Sequence, residues 1–447
     1  MRKRCTAFVR ALLFALVAAP ATVWAQAPTE GQPADVRRPF RGLFGMPAVP
    51  GSSQALDFTA SVYEAYDDDV FADQGPVALS GDLRRSGWFS GFESGLNYVR
   101  NGRRVGFGAD AGLGVTAYPD EPLFVVYRTG VNLNAPIARN TSLTLAQTFV
   151  YAPEYRLGLF ISPTSGGFDD PFANVAPDLG VFRERSYRTG TNVGVSQTFR
   201  DRSSLSAFYS LSTATYRSRE LNYTNQGVGA RYLRQLTRNA GLRLGYIYGG
   251  ARYPNVPGLD RRGVHTIDVG VDYGRALSVS RRTHFSFSSG TALFYANQGI
   301  SSGPVRRLEF ALVGNAILNH EMGRTWTSSV SYQRSVAFHE GFLEPFISQS
   351  VSANLHGMLA RRLEFTGSTA YTRGVVGAGT DNDFQSAGAN AGLQYALTRY
   401  LAAYANYVYY RYNFPPGIAV NARFPRSLAR NGVRIGLTTS IPVIRAK

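Results

Sequence analysis

From Leu56 to the C-terminal end the chain repeats one signal: stretches of about 10–16 residues in which apolar and polar side chains alternate, broken by turn-forming residues. Val105, Phe107, Ala109, Ala111, Leu113, Val115 and Ala117 make one face, with Gly106, Gly108, Asp110, Gly112, Gly114 and Thr116 between them. Ile267, Val269, Val271 and Tyr273 alternate with Asp268, Gly270 and Asp272 in the same way, and Val433, Ile435, Leu437, Thr439 and Ile441 with Arg434, Gly436, Thr438 and Ser440. Successive side chains on a strand point to opposite faces, so a period of two predicts strands with one apolar face. The pattern predicts strands over 54–66, 86–100, 103–118, 123–136, 141–154, 186–200, 203–216, 222–236, 241–253, 263–276, 283–297, 307–319, 325–338, 346–360, 363–375, 384–397, 400–413 and 431–443. That is about 18 strands (16–18), an even number, as single-chain bacterial barrels require.

The connections alternate too. Tight turns, such as Asn101-Gly102, Asp201-Arg202 and Thr398-Arg399, alternate with longer segments, such as 67–85, 155–185 and 414–430. Short turns at one end and long loops at the other is the layout of outer-membrane barrels, and an even count puts both termini on the periplasmic side. Soluble sandwich strands average about 5–6 residues. The present stretches are long enough to cross a bilayer, where the backbone must pair completely and the sheet must close. The expected fold is therefore all-β: a transmembrane antiparallel up-and-down β-barrel over 54–447.

Two segments precede it. Arg2, Lys3 and Arg4, an apolar run from Ala11 to Ala19, and Val23-Trp24-Ala25 have the form of a signal peptide cleaved after Ala25. Residues 26–53 are rich in Pro, Gly and Ala and read as a flexible periplasmic segment. The single cysteine, Cys5, lies in the first segment, so the exported part has neither disulfide nor thiolate chemistry.

Composition fits the membrane reading. Glycine contributes 47 residues, tyrosine 26 and phenylalanine 28, while only 17% of residues are charged. Tyr404, Tyr407, Tyr409, Tyr410 and Tyr412 crowd one strand end, Tyr246 and Tyr248 another, and Phe285 and Phe287 lie at the turn-proximal end of theirs. These are expected to form the two interfacial girdles. The net charge of +17 is carried by arginine, since lysine occurs only at Lys3 and Lys447. Export and the crowding of arginine at tight turns (Arg139, Arg202, Arg238, Arg324, Arg361, Arg362 and Arg399) point to lipid headgroups rather than nucleic acid.

Candidate chemistry is sparse. His265, His284, His320, His339 and His356 lack metal-ligand spacing, and no catalytic constellation can be assembled, so neither enzyme activity nor a cofactor or metal is expected. Asp67-Asp68-Asp69 lacks the alternate spacing of a calcium loop and reads as solvated or lipopolysaccharide-associated loop acids. The polar face supplies the candidate lumen lining: Arg128, Arg188, Arg231, Arg243 and Arg434 against Glu93, Asp110, Asp268, Asp272, Glu309 and Glu364. Mixed charge on a Gly/Ser/Thr/Asn background suits a hydrated path with weak charge preference. The longest loop, 155–185, carries Phe160, Phe168, Asp169, Asp170, Phe172, Asp178 and Arg183, and is the candidate constriction.

Tyr63-Glu64-Ala65-Tyr66-Asp67-Asp68-Asp69-Val70-Phe71, Tyr332-Gln333-Arg334-Ser335-Val336, the aromatic run Tyr404–Phe414 and the last strand Arg430–Val443 together resemble outer-membrane β-barrel porin families, some of whose members are associated with exopolysaccharide export. The chain departs from the common pattern in ending Val443-Ile444-Arg445-Ala446-Lys447, without a terminal aromatic. The resemblance implies a pore for hydrophilic solutes, saccharide or polysaccharide among them. The expected partners are outer-membrane lipid, lipopolysaccharide and the barrel assembly machinery. A closed barrel that presents its long loops as an interaction surface is the alternative.

Overall fold

The computed structural model describes residues 43–44, 53–70, 86–102, 104–119, 123–155, 182–199, 202–255, 262–277, 282–297, 306–338, 345–376, 382–415 and 426–446. The proposed signal peptide, nearly all of the 26–53 segment and the centre of the longest loop lie outside these residues. Eighteen strands form one sheet. They are β1 (Gln54–Asp67), β2 (Gly87–Asn101), β3 (Gly106–Ala117), β4 (Phe124–Ala138), β5 (Thr141–Tyr155), β6 (Phe182–Phe199), β7 (Ser203–Tyr216), β8 (Tyr223–Gln235) and β9 (Ala240–Arg252). There follow β10 (Arg262–Ala276), β11 (Thr283–Asn297), β12 (Arg306–Met322), β13 (Trp326–Ala337), β14 (Phe346–Ala360), β15 (Leu363–Val376), β16 (Asp383–Ala396), β17 (Leu401–Asn413) and β18 (Ser427–Ala446).

Each strand pairs antiparallel with its sequence neighbours, and β1 pairs with both β2 and β18, so the ring is closed. Phe58 stands opposite Ile441 and Leu56 opposite Ile444 across the seam. Closure leaves no sheet edge, which is what a hydrocarbon surround demands.

The alternation sorts the side chains as the pattern predicts. Val62, Leu96, Leu113, Leu244, Val269, Val351, Ile435 and Leu437 are exposed on the outer wall, a membrane-facing belt no soluble protein would present over such an area. Two aromatic girdles bound the belt. At the long-connection end Tyr66 packs on Trp88 with centroids 5.4 Å apart, and Tyr151 on Tyr187 at 5.1 Å. At the short-turn end Phe285 meets Phe287 at 6.0 Å and Trp326 meets Phe365 at 6.1 Å.

The seam is fastened near the long-connection end. Arg430 Nη2 donates to Asp67 Oδ2 at 2.7 Å, with both groups nearly inaccessible. Asp68 Oδ1 accepts from the Asn431 backbone N–H at 2.7 Å, and Asp68 Oδ2 from Asn431 Nδ2 at 2.7 Å. Lower on the same seam Ser61 Oγ donates to Thr438 Oγ1 at 2.9 Å, and Arg445 pairs with Asp57. This corrects the sequence reading of Asp67 and Asp68 as solvated loop acids. Asp67 is the last residue of β1 and stands opposite Gly432, and β18 begins early enough to place Arg430 on the same face two residues further on.

Candidate functional site: the barrel lumen

The inner wall divides along the barrel axis. Over β2–β4 it is built largely of residues that leave space or bond to water. Gly95, Gly106, Gly108, Gly112 and Gly114 share this face with Asn97, Asp110, Arg128, Asn132 and Asn134, as their direct opposition across the strand pairs shows. The glycines make room for neighbouring side chains. A Cβ at Gly91 would sit inside the Tyr63 ring, and one at Gly108 would strike the Asn132 amide. Several inward polar atoms have no protein partner among the described residues: Asp110 Oδ1, Ser368 Oγ, Thr372 Oγ1, Ser386 Oγ, Asn390 Oδ1 and Asn406 Oδ1. Buried polar groups in native proteins are satisfied as a rule, and water would supply the missing partner here.

Near the long-connection end the same face becomes apolar. Tyr216, Tyr223, Tyr253, Phe294, Phe346, Phe384, Tyr410, Tyr412 and Phe414 are almost wholly buried and join Leu221, Val264, Phe338 and Leu428 in one packed cluster. Phe346 meets Phe384 edge-on at 4.8 Å, and Phe384 stacks on Phe414 at 5.8 Å. Tyr223 Oη, on β8, donates to the carbonyl of Phe338, just beyond β13, at 3.3 Å. That bond reaches over the four strands β9–β12, so the cluster spans part of the mouth rather than coating its wall. A second, smaller group (Tyr63, Ala65, Val70, Phe89, Tyr118 and Phe124) covers the β1–β4 side.

This cluster corrects the reading of the Tyr404–Tyr412 run as girdle. Tyr407 is exposed on the outer wall, but Tyr410 and Tyr412 are buried inside. Alternation requires the split, because Tyr409 and Tyr410 are consecutive and cannot share a face. A readable signal existed: Tyr253, Phe346, Phe384 and Phe414 all lie beside long connections at inward parity.

The charged candidates other than Asp268 occupy inward positions, but they do not form one site. On the β18–β2 side Arg434 Nη1 lies 3.7 Å from Glu93 Oε1, and its guanidinium sits 5.2 Å from the Tyr63 ring centroid. Asp110 and Arg128 are on adjacent strands, two residues out of register, with Arg128 exposed to the lumen. Arg188 Nη2 donates to Tyr216 Oη at 3.1 Å, which links the wet wall to the edge of the cluster. Arg231 lies opposite Ser206 and Gly245, and Glu309 opposite Phe294, close to the cluster.

Arg243 is the most constrained of the set. It is buried, pairs with Asp272, and donates through Nη2 to the Ser289 carbonyl at 2.7 Å. The β10–β11 ladder is interrupted between Ile267 and Asp272, and a Cβ at Gly270 would collide with the Ser289 carbonyl. Glycine there lets Arg243 reach across β10 and satisfy a carbonyl that the broken ladder leaves without its strand partner. Asp268 belongs to the same interrupted stretch; its side chain is outside the described residues. Glu364 pairs with His356 on the inner wall of β14–β15. Among the described residues no group of three metal-ligating side chains occurs.

Of the proposed constriction, Phe160, Phe168, Asp169, Asp170, Phe172 and Asp178 lie outside the described residues. Arg183 is not a loop residue as expected, because β6 starts at Phe182; its guanidinium stands 5.0 Å from the Phe124 ring centroid, an inward-facing ring.

No family profile and no curated protein matches the chain. Solved structures of similar architecture include OccK2 (OpdF) of Pseudomonas aeruginosa in complex with glucuronate, with TM-score 0.46 and 10% identity over 89% of this chain and 100% of that one. OccK8 (OprE) of the same organism gives 0.42 and 11% over 89% and 100%, and the FrpB iron transporter of Neisseria meningitidis gives 0.44 and 8% over 88% and 83%. Identity this low relates barrels by architecture only.

Proposed function

We propose that the chain is an outer-membrane pore for hydrophilic solutes, with the long connections facing the cell exterior, both termini in the periplasm, and the aromatic cluster narrowing the outer mouth. The observation that carries this reading is the polar inner wall: inward glycines, amides and hydroxyls, with polar atoms that have no protein partner among the described residues. A barrel of this strand number encloses a channel unless something fills it. Arg128, Arg188, Arg231, Arg243 and Arg434 against Glu93, Asp110, Asp268, Asp272, Glu309 and Glu364 give the path a mixed lining with weak charge preference. Saccharides fit such a lining, and the resemblance to export-associated porins extends the solute class to polysaccharide. The reading includes no enzyme activity and no cofactor.

A second reading is favoured by one observation. The packed rings around Phe346, Phe384 and Phe414 are the inside of a core, which is what a closed barrel presenting its loops requires. Single-channel recording in planar bilayers decides between the two. A pore gives stepwise conductance, and vesicles containing it swell in monosaccharide faster than in oligosaccharide. A silent, inserted protein establishes the closed barrel.

A further inference from the structure

The outer wall is largely apolar, with Glu64 and Ser90 bonded to each other on β1–β2, and one longer polar tract lies across neighbouring strands. Arg334, Gln349, Arg373, Gln385 and Asn413 stand directly opposite one another across β13–β17, an unbroken lateral row of polar side chains on the membrane-facing face. Arg411, one step along β17, adds a third guanidinium beside it. Side chains two strands apart are about 10 Å apart, so Gln349 separates the first two arginines, while Arg411 stands opposite Ala387, diagonal to Gln385.

The row slants across the wall. Asn413 ends β17, whereas Arg334 lies three residues inside β13, opposite Gly314. Arg334 is flanked by exposed apolar side chains, with Tyr332 on its own strand and Leu312 diagonal to it on β12. Its Nε is buried without a hydrogen-bond partner. Arg373 donates to Asp383 at 2.9 Å, and both remain exposed. Among the described residues neither Arg334 nor Arg411 has a carboxylate within ion-pair range. The tract therefore holds three guanidiniums and one carboxylate, with Tyr332 and Tyr371 exposed directly beneath.

We propose that this tract is a docking site for a phosphorylated glycolipid of the outer leaflet, the phosphate-bearing headgroup of lipopolysaccharide. A guanidinium on a lipid-facing wall needs an anion or water, and its planar fork matches phosphate oxygens in pairs. Phosphates of one headgroup span a row of this spacing, Gln349 and Gln385 donate to the sugar hydroxyls between them, and the acyl chains run down the tyrosine and aliphatic wall below. The long side chain of Arg334 extends upward from the apolar belt toward the same headgroup. The proposal rests on the outer-membrane reading but not on the barrel conducting.

The test uses the full-length protein in phosphatidylcholine vesicles doped with bis-phosphorylated lipid A, with dephosphorylated lipid A, or with phosphatidylglycerol, and native mass spectrometry of the lipid that stays bound. The wild type should retain the phosphorylated glycolipid over the other two. R334Q/R373Q/R411Q should weaken that retention by about a hundredfold, three headgroup contacts at the usual worth of each, while keeping its heat-modifiable migration. Equal retention of all three lipids by the wild type overturns the proposal, as does unchanged retention by the triple variant. If the triple variant fails to fold, R373Q/R411Q takes its place and the three-lipid comparison on the wild type still decides. Conductance is recorded on the same vesicles, so a silent barrel with lipid preference sinks the pore reading alone.

Discussion

The two ends of the lumen are made from the same strands and the same parity, yet one is packed like a core and the other like a wet channel. On β17 the inward series runs Ala402, Tyr404, Asn406, Val408, Tyr410, Tyr412, passing from small and polar to fully buried rings. On β3, inward Gly108 and Gly112 leave room that the polar side chains of Asn132 and Arg128 occupy. Parity decides which side a residue faces, but not what it meets there. Rings meet rings at the mouth, where Phe338, just past β13, packs in the same cluster as Tyr223 of β8 and accepts its hydrogen bond.

That difference can be broken most forcefully at its aromatic side. Phe384→Ala removes a buried ring wedged between Phe346 and Phe414 and should cost about 3–5 kcal/mol, read as a lower melting midpoint in detergent. It should also raise single-channel current if the cluster narrows the path; a destabilised barrel with unchanged current would show that the rings hold the structure without limiting flow. Asp67→Ala strands the buried Arg430 charge and should cost a similar or slightly smaller amount, about 3 kcal/mol, with the loss reduced when Arg430 is replaced by Met in the same chain. Leu113→Arg places a charge on the apolar belt and should cost about 2–4 kcal/mol near the midplane. Gly112→Ser, one residue away on the wet side, should stay within about 0.5 kcal/mol, because the nearest atoms to its new Cβ belong to the flexible, exposed Arg128 chain at 3.1 Å. Equal penalties at 112 and 113 would mean the faces are assigned the wrong way round. Arg128→Ala is the gentlest: stability unchanged, with reversal potential shifted toward cation preference in asymmetric salt.

Most of the barrel was legible because alternation is a local, repeated signal. Every predicted strand is present, and the largest boundary shifts fall at β6, which starts at Phe182 rather than 186, and at β18, which runs Ser427–Ala446 rather than 431–443. In both places pairing extends a strand past its own alternation: β6 holds on to β5 through Glu154 and Arg183, and β18 to β17 through Asn413 at its start and to β1 through Gln54 at its end. The candidate site was legible only residue by residue. That Arg434 lies on the inner face follows from period two, but that it faces Glu93 depends on which strands become neighbours when the ring closes. Arg243 reaching a carbonyl two strands away depends on an interruption that no composition signals. The mouth cluster was missed for a related reason, since its rings come from many strands and only closure brings them together.

The seam clasp has a consequence for how the chain is made. Asp67 and Arg430 are 363 residues apart, and Ser61 and Thr438 are 377 apart, so almost the whole chain must be synthesised and exported before these contacts can form. All other strand pairs join sequence neighbours and can form as each hairpin arrives, at low loop-closure cost. Closure of β1 on β18 is then the slow, final event. Until it happens β1 offers an open edge bearing Asp67 without its arginine. A buried ion pair at one end and a hydroxyl pair lower down penalise any slipped register at that moment, because a slip by one residue turns both to the wrong face. The clasp thus favours the correct register at closure, and its loss should appear as kinetically trapped, unclosed barrels in addition to the lower stability of finished ones.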